Sequence, residues 1–469
     1  MGNVRGFVRR IWNKRDVKAF SYGLILRLIA EIINGKYPLG SDANTFYVLK
    51  FVYMDLVREL AYGFVYQYII FGLGLFLGNI FLAIKIVACI ISGLLVLSIY
   101  LWGRKSGLDE EMALKYAIIA FMYFTILEIS WDLQRNALGL ALILIAIAIM
   151  NEKFLVACFI AALAGLTHPF TIFVVGSILF VDIIHRKKRE IFLFLSNATA
   201  VGFIVYCRLF VVGKDVSGFV SATGQIWHVP PHLMPVFFIY ISLPVLILML
   251  ISYGLNSGVL VYLKEKNNLC WIVVSLLISP FLVFGYRILL MVSIPLVFFA
   301  FRMTKHSSKR LFKALAVICV VSSATYQPFI YVYPWYPGFR HGIGIITFGS
   351  CMAPWDVDDA ERLLKEAWLM VNDSVGLVIH HSEIGIAYAV GIPIKDRHIV
   401  LVTGPLGPVT EFDRFIEVAL NNFTRVLVVW YISPPIGSVD IPRDRHYMVF
   451  DRSSNMALYI FCNSSSFGC

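Results

Sequence analysis

Charged residues are scarce in this sequence, at 15% of its 469 residues, whereas ordinary soluble domains contain about 25%. Hydrophobic residues make up 59% of the chain, and the mean hydropathy is +0.78. Repeated apolar runs have the roughly 17–25 residues that a helix needs to cross a bilayer core of about 30 Å. The composition therefore excludes an ordinary soluble globular protein and predicts a polytopic helical membrane protein.

Several common functional motifs are also missing. The eight cysteines form no C-x-x-C pair, which argues against a zinc site or a redox motif of that kind. The C-terminal part contains neither a G-x-G-x-x-G sequence nor a P-loop lysine, so no nucleotide site is indicated there. The start of the chain is basic, and the first apolar segment lacks a small-residue cleavage site. We therefore expect a retained first transmembrane helix rather than a cleaved signal peptide.

The formal net charge of +11 is distributed unevenly. From Ile330 to the end, 10 Lys and Arg stand against 14 Asp and Glu, and the rest of the chain holds 30 and 15. Most of the basic excess lies in short loops between apolar segments, where it indicates membrane orientation rather than binding of nucleic acid. This bias predicts a multi-pass plasma-membrane protein with a cytoplasmic N-terminus and an extracytoplasmic C-terminal region.

The apolar segments predict about eleven transmembrane helices, near 19–33, 80–101, 113–129, 134–150, 154–167, 170–185, 191–212, 234–256, 269–285, 288–303 and 311–328. A shorter glycine-rich stretch, Phe64–Leu77, is interpreted as interfacial or re-entrant. After the proline- and aromatic-rich stretch Tyr326–Phe339, strand-like and helical patterns alternate and predict a small α/β domain with parallel strands. We therefore expect a transmembrane domain at 1–329 and an extracytoplasmic α/β domain at 330–469.

With a cytoplasmic N-terminus and eleven spans, several polar side chains lie at helix junctions on the extracytoplasmic side. They are Asp42, Glu128, Asp132, Arg135, His168, Tyr286 and Arg287. A carboxylate can accept the proton of an attacking hydroxyl, and arginines can hold a phosphate by bidentate hydrogen bonds. This set therefore fits a reaction on a phosphate-bearing lipid. Asp42 and Asp132 are the candidate catalytic carboxylates, and the candidate lipid-phosphate or substrate ligands are Arg135, His168, Arg287 and Tyr286.

Each candidate also has a structural interpretation. Asp42 follows Pro38 and Gly40 and could cap the next helix, as Asp132 could. A lone histidine in a turn such as His168-Pro169 is more often structural, and a tyrosine at a helix end often anchors at the membrane interface. The sequence alone leaves these alternatives open.

The same residues resemble those of a known family, the GT-C superfamily of glycosyltransferases. The likeness rests on Arg27 and Glu31 in the first helix, on the loop with Gly40, Asp42 and Tyr47, and on three later stretches: WDLQRN, the turn Thr167-His168-Pro169, and Tyr286–Pro295. It is closest to archaeal-type members related to the protein mannosyltransferase group. One motif of oligosaccharyltransferases, a tryptophan-rich stretch, is absent from the C-terminal part, which argues against transfer of a whole glycan to asparagine.

The resemblance implies a polytopic enzyme that takes a sugar from a polyprenyl- or dolichyl-phosphate carrier on the non-cytoplasmic face of an archaeal plasma membrane. An aspartate in the first outer loop is then the expected base, and outer arginines bind the carrier phosphate. The acceptor is a glycan, a lipid or a protein, as in protein glycosylation. No cofactor or metal is expected. The alternatives are a lipid or polysaccharide flippase or transporter, and a non-catalytic membrane scaffold.

Overall fold

A computed structural model describes residues 15–44, 46–131, 133–213, 234–282, 285–324, 356–380, 383–402, 410–433, 441–442 and 445–462. At 41, 42, 402 and 410–412 it describes the backbone alone. Contacts divide the chain into two compact units. The first, here the helical unit, comprises Met1–Ala30, Asp55–Phe76 and Ala83–Tyr326, and the second, here the C-terminal unit, comprises Glu31–Met54, Leu77–Leu82 and Gln327–Cys469.

Most of the described helices before residue 325 overlap the predicted apolar segments, and three short ones between residues 41 and 59 do not. The helices are α1 (Arg15–Ile33), α2 (Ser41–Asn44), α3 (Phe46–Tyr53), α4 (Leu56–Glu59), α5 (Val65–Leu77), α6 (Ile80–Lys105), α7 (Glu110–Phe121), α8 (Phe124–Trp131), α9 (Gln134–Ile149), α10 (Phe154–Thr167), α11 (Thr171–Ile184), α12 (Lys188–Tyr206), α13 (Met234–Leu255), α14 (Lys266–Ile278), α15 (Gly285–Met291), α16 (Ser293–Ser307) and α17 (Lys309–Ala324). A π-helical turn, Cys207–Val211, continues α12, and 3₁₀ turns lie at Ser257–Lys264 and Ser279–Phe281.

Four stretches of the described chain are long and apolar enough to cross a membrane: Ile80–Lys105, Lys188–Val211, Met234–Leu255 and Gly285–Ser307. A fifth arises if α7 and α8, which meet at a bend of 73°, form one broken span. Shorter apolar helices include α5, α9, α10 and α11. The fold is thus that of a helical membrane protein, while the number of eleven spans stays a prediction.

Buried polar side chains connect the helices of the helical unit. Tyr116 donates a hydrogen bond to the carbonyl of Ile294 (2.9 Å), and the indole of Trp102 donates to the Asn268 amide oxygen (2.9 Å). Gly165 lets α10 approach α12 closely, since a Cβ there would lie 2.8 Å from the Asn197 carbonyl oxygen. Such small residues and inter-helix hydrogen bonds are the usual means of packing helices in lipid, where burial of apolar surface adds little.

The C-terminal unit contains a five-stranded sheet flanked by helices α18 (Val357–Met370), α19 (Ile384–Ala389) and α20 (Thr410–Leu420). The strands are β1 (Val375–His380), β2 (Ile399–Val402), β3 (Arg425–Tyr431), β4 (Tyr447–Arg452) and β5 (Met456–Cys462), in the order β2-β1-β3-β5-β4. The predicted parallel pairing holds for β2, β1 and β3.

Strand β5 runs antiparallel to both of its neighbours, β3 and β4, which differs from the prediction of parallel strands. The connection between β4 and β5 has only three residues, and a parallel pair needs a crossover of a dozen or more. Cys462 at the end of β5 is disulfide-bonded. The predicted domain boundary at 329/330 lies outside the described residues, so the division into 1–329 and 330–469 stays a prediction.

Candidate active site

Asp42 is the second residue of the one-turn helix α2. A capping residue lies just before the first helical residue, whereas this turn begins at Ser41 and includes Asp42. The turn follows Gly40, whose φ of 102° falls in the left-handed region that favours glycine. The backbone of Asp42 thus lies on this turn, and its role as a base or as a cap stays a prediction.

Side chains hold the backbone on both sides of Asp42. The fully buried Asn44 donates two hydrogen bonds from its amide nitrogen, to the carbonyls of Pro38 (2.6 Å) and Gly40 (2.9 Å). Glu31, near the end of α1, accepts a hydrogen bond from the backbone N–H of Leu39 (3.0 Å). These bonds fix the chain from Pro38 to Asn44, which brackets Asp42.

Asp132, the second candidate carboxylate, lies outside the described residues. The helix before it ends at Trp131, and Arg27 from α1 contacts that end. Its guanidinium donates to the carbonyl of Ser130 (3.2 Å) and lies 6.0 Å from the Trp131 ring centroid. Arg27 is only 1% exposed, so this charge is held inside the helical unit.

Four of the predicted ligands come together in the helical unit. Arg135 and Arg287 both lie close enough to His168 to act electrostatically on its buried imidazole. The Nε of Arg287 donates to the hydroxyl of Tyr286 (3.2 Å), and Arg135 donates to the carbonyl of Tyr62 (3.2 Å). The structure thus brings Arg135, His168, Tyr286 and Arg287 into one neighbourhood from three separate helix junctions.

The imidazole of His168 has a structural contact as well. Its Nδ1 accepts a hydrogen bond from the backbone N–H of Phe170 (3.2 Å), within the Thr-His-Pro turn itself. An Nδ1 that accepts this bond carries no proton, so the neutral ring keeps its proton on Nε2. The remaining N–H can therefore donate to a phosphate or a sugar hydroxyl.

A third arginine, which the sequence did not single out as a ligand, belongs to the same neighbourhood. Arg208 lies on the π-helical turn at the end of α12, is 9% exposed, and sits 5.2 Å from the ring centroid of Tyr62. Tyr62 thus contacts Arg208 through its ring and Arg135 through its carbonyl. A π-helical turn often marks a functional site, but sequence patterns do not reveal one.

Gly63 explains why Tyr62 can reach this position. Its φ is +90°, and a Cβ on it would lie 2.4 Å from the carbonyl oxygen of Thr167. The backbone after α4 is therefore in direct contact with the Thr167-His168 turn. Only glycine tolerates both the conformation and the approach.

A neighbourhood of two guanidinium groups and an imidazole, to which Tyr62 links a third guanidinium, is suited to a phosphate. Arginine presents planar, bidentate donors that stay charged at any physiological pH, and it tolerates partial burial better than lysine. Within the described chain, no three His, Cys, Asp or Glu side chains are arranged to hold a metal ion. The expectation of metal-free chemistry stays a prediction.

Comparisons with known proteins address the fold. No protein-family model and no curated protein matches the sequence. Among solved structures, the fold is similar to that of ArnT from Cupriavidus metallidurans, crystallised bound to undecaprenyl phosphate. The TM-score is 0.52 over 97% of this chain and 99% of that one, at 11% sequence identity. At this level of identity the likeness concerns the fold alone.

Proposed function

We propose that the protein is a membrane glycosyltransferase that moves a sugar from a polyprenyl-phosphate carrier to an acceptor on the extracytoplasmic side. The observation that carries the proposal is the convergence of Arg135, His168 and Arg287, with Arg208 linked to Arg135 through Tyr62. It occurs in a chain whose fold resembles that of a protein solved with undecaprenyl phosphate.

In this reaction Asp42 accepts the proton of the acceptor hydroxyl as the hydroxyl oxygen attacks the sugar anomeric carbon. The bond between that carbon and the carrier phosphate breaks, and the phosphate oxygen keeps the electron pair. A single displacement of this kind inverts the anomeric configuration. Asp132 is proposed as a second carboxylate on the acceptor side.

Arg287 and Arg135 hold the leaving phosphate and stabilise the charge that develops on it. His168 donates a hydrogen bond from its Nε2–H to the same phosphate and keeps that proton, and Tyr286 orients Arg287 through the hydrogen bond between their side chains. Neither a metal ion nor a cofactor takes part. The acceptor is a glycan, a lipid or a protein.

Two features support an extracytoplasmic site. The distribution of basic residues favours a cytoplasmic N-terminus, and disulfides such as that of Cys462 persist in oxidising compartments. The proposed orientation can be checked by modifying cysteines introduced at exposed positions in intact cells.

The test is transfer of a labelled sugar from polyprenyl-phosphate donors by the full chain in lipid nanodiscs. Replacing a general base slows such a reaction by about 100-fold or more, so Asp42→Asn should lose transfer while donor binding stays unchanged. Asp55→Asn is a matched control, because Asp55 is exposed and only caps α4 through the Arg58 N–H.

Full activity in Asp42→Asn would refute the role of this carboxylate. Movement of the intact lipid across the membrane, without cleavage of its sugar, would instead identify a flippase.

A further inference from the structure

The segment before Asp42 is held by a carboxylate on helix α18 of the same C-terminal unit. The Tyr37 hydroxyl donates to a carboxylate oxygen of Glu361 (2.5 Å), and the Lys36 ammonium contacts the same oxygen at 2.9 Å. Glu361 lies on α18, 324 residues from Tyr37 along the chain. All three residues belong to the C-terminal unit.

The pKa shifts of Tyr37 and Glu361 agree with a hydrogen bond in which Tyr37 is the donor. Burial, and then the hydrogen bond with Glu361, raise the pKa of Tyr37 above its usual value. Burial acts to raise the pKa of Glu361 as well, but hydrogen bonds from Tyr37 and Lys36 outweigh it and the pKa falls below its usual value. The proton therefore stays on Tyr37 and the charge on Glu361, which makes this a charge-assisted hydrogen bond.

A second contact lies on the other side of Asp42. A Cβ on Gly385, in α19, would lie 2.3 Å from the carbonyl oxygen of Asn44. The backbones of α2 and α19 therefore touch, at a distance that only glycine allows. Asn44 is fully buried there.

An aromatic contact supports the first anchor. The ring of Phe81 lies edge-on to Tyr37 at 5.4 Å and to Tyr388 of α19 at 5.9 Å. Phe81 and Tyr37 are both buried. Aromatic pairs in this geometry add to the stability gained from their burial.

We propose that helices α18 and α19 of the C-terminal unit act in the reaction by positioning Asp42, with Glu361 and Gly385 as the positioning residues. Only residues 38–43 lie between the two anchors, so loosening Tyr37 or Asn44 frees the backbone that carries Asp42. A displacement of about 1 Å at a reacting group can cost about 100-fold in rate. The inference rests on the proposed function of Asp42, but the anchoring itself can be measured without activity.

The test compares Glu361→Ala, Glu361→Gln and Gly385→Ala in the full chain in nanodiscs, with Glu366→Ala as matched control. Glu366 lies on the same helix and pairs with Arg362 at 2.9 Å instead. Hydrogen exchange of peptides covering 36–44 reports the anchoring, and kcat and KM for the lipid donor report its effect on transfer.

We expect exchange in 36–44 to be about tenfold faster in Glu361→Ala, the change that loss of one hydrogen bond to a charged group gives. Gly385→Ala should have a similar effect, and Glu361→Gln a smaller one, since an amide oxygen still accepts from Tyr37. Transfer should lose kcat with little change in KM, because positioning acts on the reacting step.

Unchanged exchange in both Glu361→Ala and Gly385→Ala would overturn the proposal, as would faster exchange with wild-type kcat. If the wild type transfers no sugar while exchange rises in these variants, the proposed function fails and the anchoring stands. If Glu366→Ala has the same effect as Glu361→Ala, the contact has no specific role and the proposal is refuted.

Discussion

Glu383 should make the stability of the C-terminal domain fall as the pH rises. The residue precedes α19 and is completely buried. One carboxylate oxygen accepts a hydrogen bond from the His380 backbone N–H at 3.4 Å, and the other has no hydrogen-bond partner among the described residues. Burial raises the pKa of Glu383 well above its usual value, although the His380 bond opposes the shift.

The direction of this pH dependence follows from the number of protons that the folded and unfolded states bind. An unfolded glutamate loses its proton near pH 4.3, whereas the folded one keeps it to a higher pH. Between these two pKa values the folded state binds one proton more, so the free energy of unfolding falls by about 1.4 kcal/mol per pH unit. For a domain of this size that corresponds to about 4 °C in melting temperature per pH unit. Glu383→Gln has no such titration.

The assay is the apparent unfolding temperature of wild type and Glu383→Gln in detergent, from pH 4 to pH 8. Near pH 4 the two should be similar, and the variant should become progressively more stable than wild type as the pH rises. Glu366→Gln, at an exposed carboxylate, is the control and should follow wild type. A constant difference between wild type and Glu383→Gln at every pH contradicts the reasoning, because it means that Glu383 does not change its protonation on folding.

Two further substitutions test the helical unit. Arg287→Ala should lower kcat/KM for the lipid donor by about 10- to 100-fold through loss of charged hydrogen bonds, whereas Arg302→Ala, at the other end of the same helical stretch, should leave it unchanged; equal effects would refute a phosphate role. Gly63→Ala should lower the melting temperature, because it forces a Cβ against Thr167 at a positive φ. Gly72→Ala, where a Cβ meets open space, should not.

The sequence predicted most of the secondary structure because apolar periodicity and length are local properties. The segments near 134–150 and 154–167 correspond to α9 and α10, and β1 and β3 lie in the stretch where strand-like and helical patterns alternate. The antiparallel edge of the sheet was missed, since strand direction depends on the connection rather than on the strand's own pattern.

The sequence also predicted part of the candidate site. The distribution of basic residues assigns each helix junction to one side of the membrane, and it predicted the same side for Arg135, His168 and Arg287. This assignment carries no information on lateral distance, so it did not identify Arg208, whose link to Tyr62 depends on helix packing. The bond between Tyr37 and Glu361 joins residues 324 positions apart, and neither residue has a local pattern that indicates it.

The turn around Asp42 is held by side chains from distant parts of the sequence. After α1 ends, the chain passes through Gly35 and Gly40, both at positive φ, and its backbone is satisfied by side chains rather than by a regular ladder. Glu31 binds the Leu39 N–H from one side, and Asn44 binds two carbonyls from the other. Glu361, on helix α18 and 324 positions later in the sequence, accepts a hydrogen bond from Tyr37. Because buried backbone groups must be paired, each of these side chains constrains the path of the turn. The backbone path around Asp42 is therefore encoded by residues dispersed over more than 300 positions, which no local pattern in the sequence could indicate.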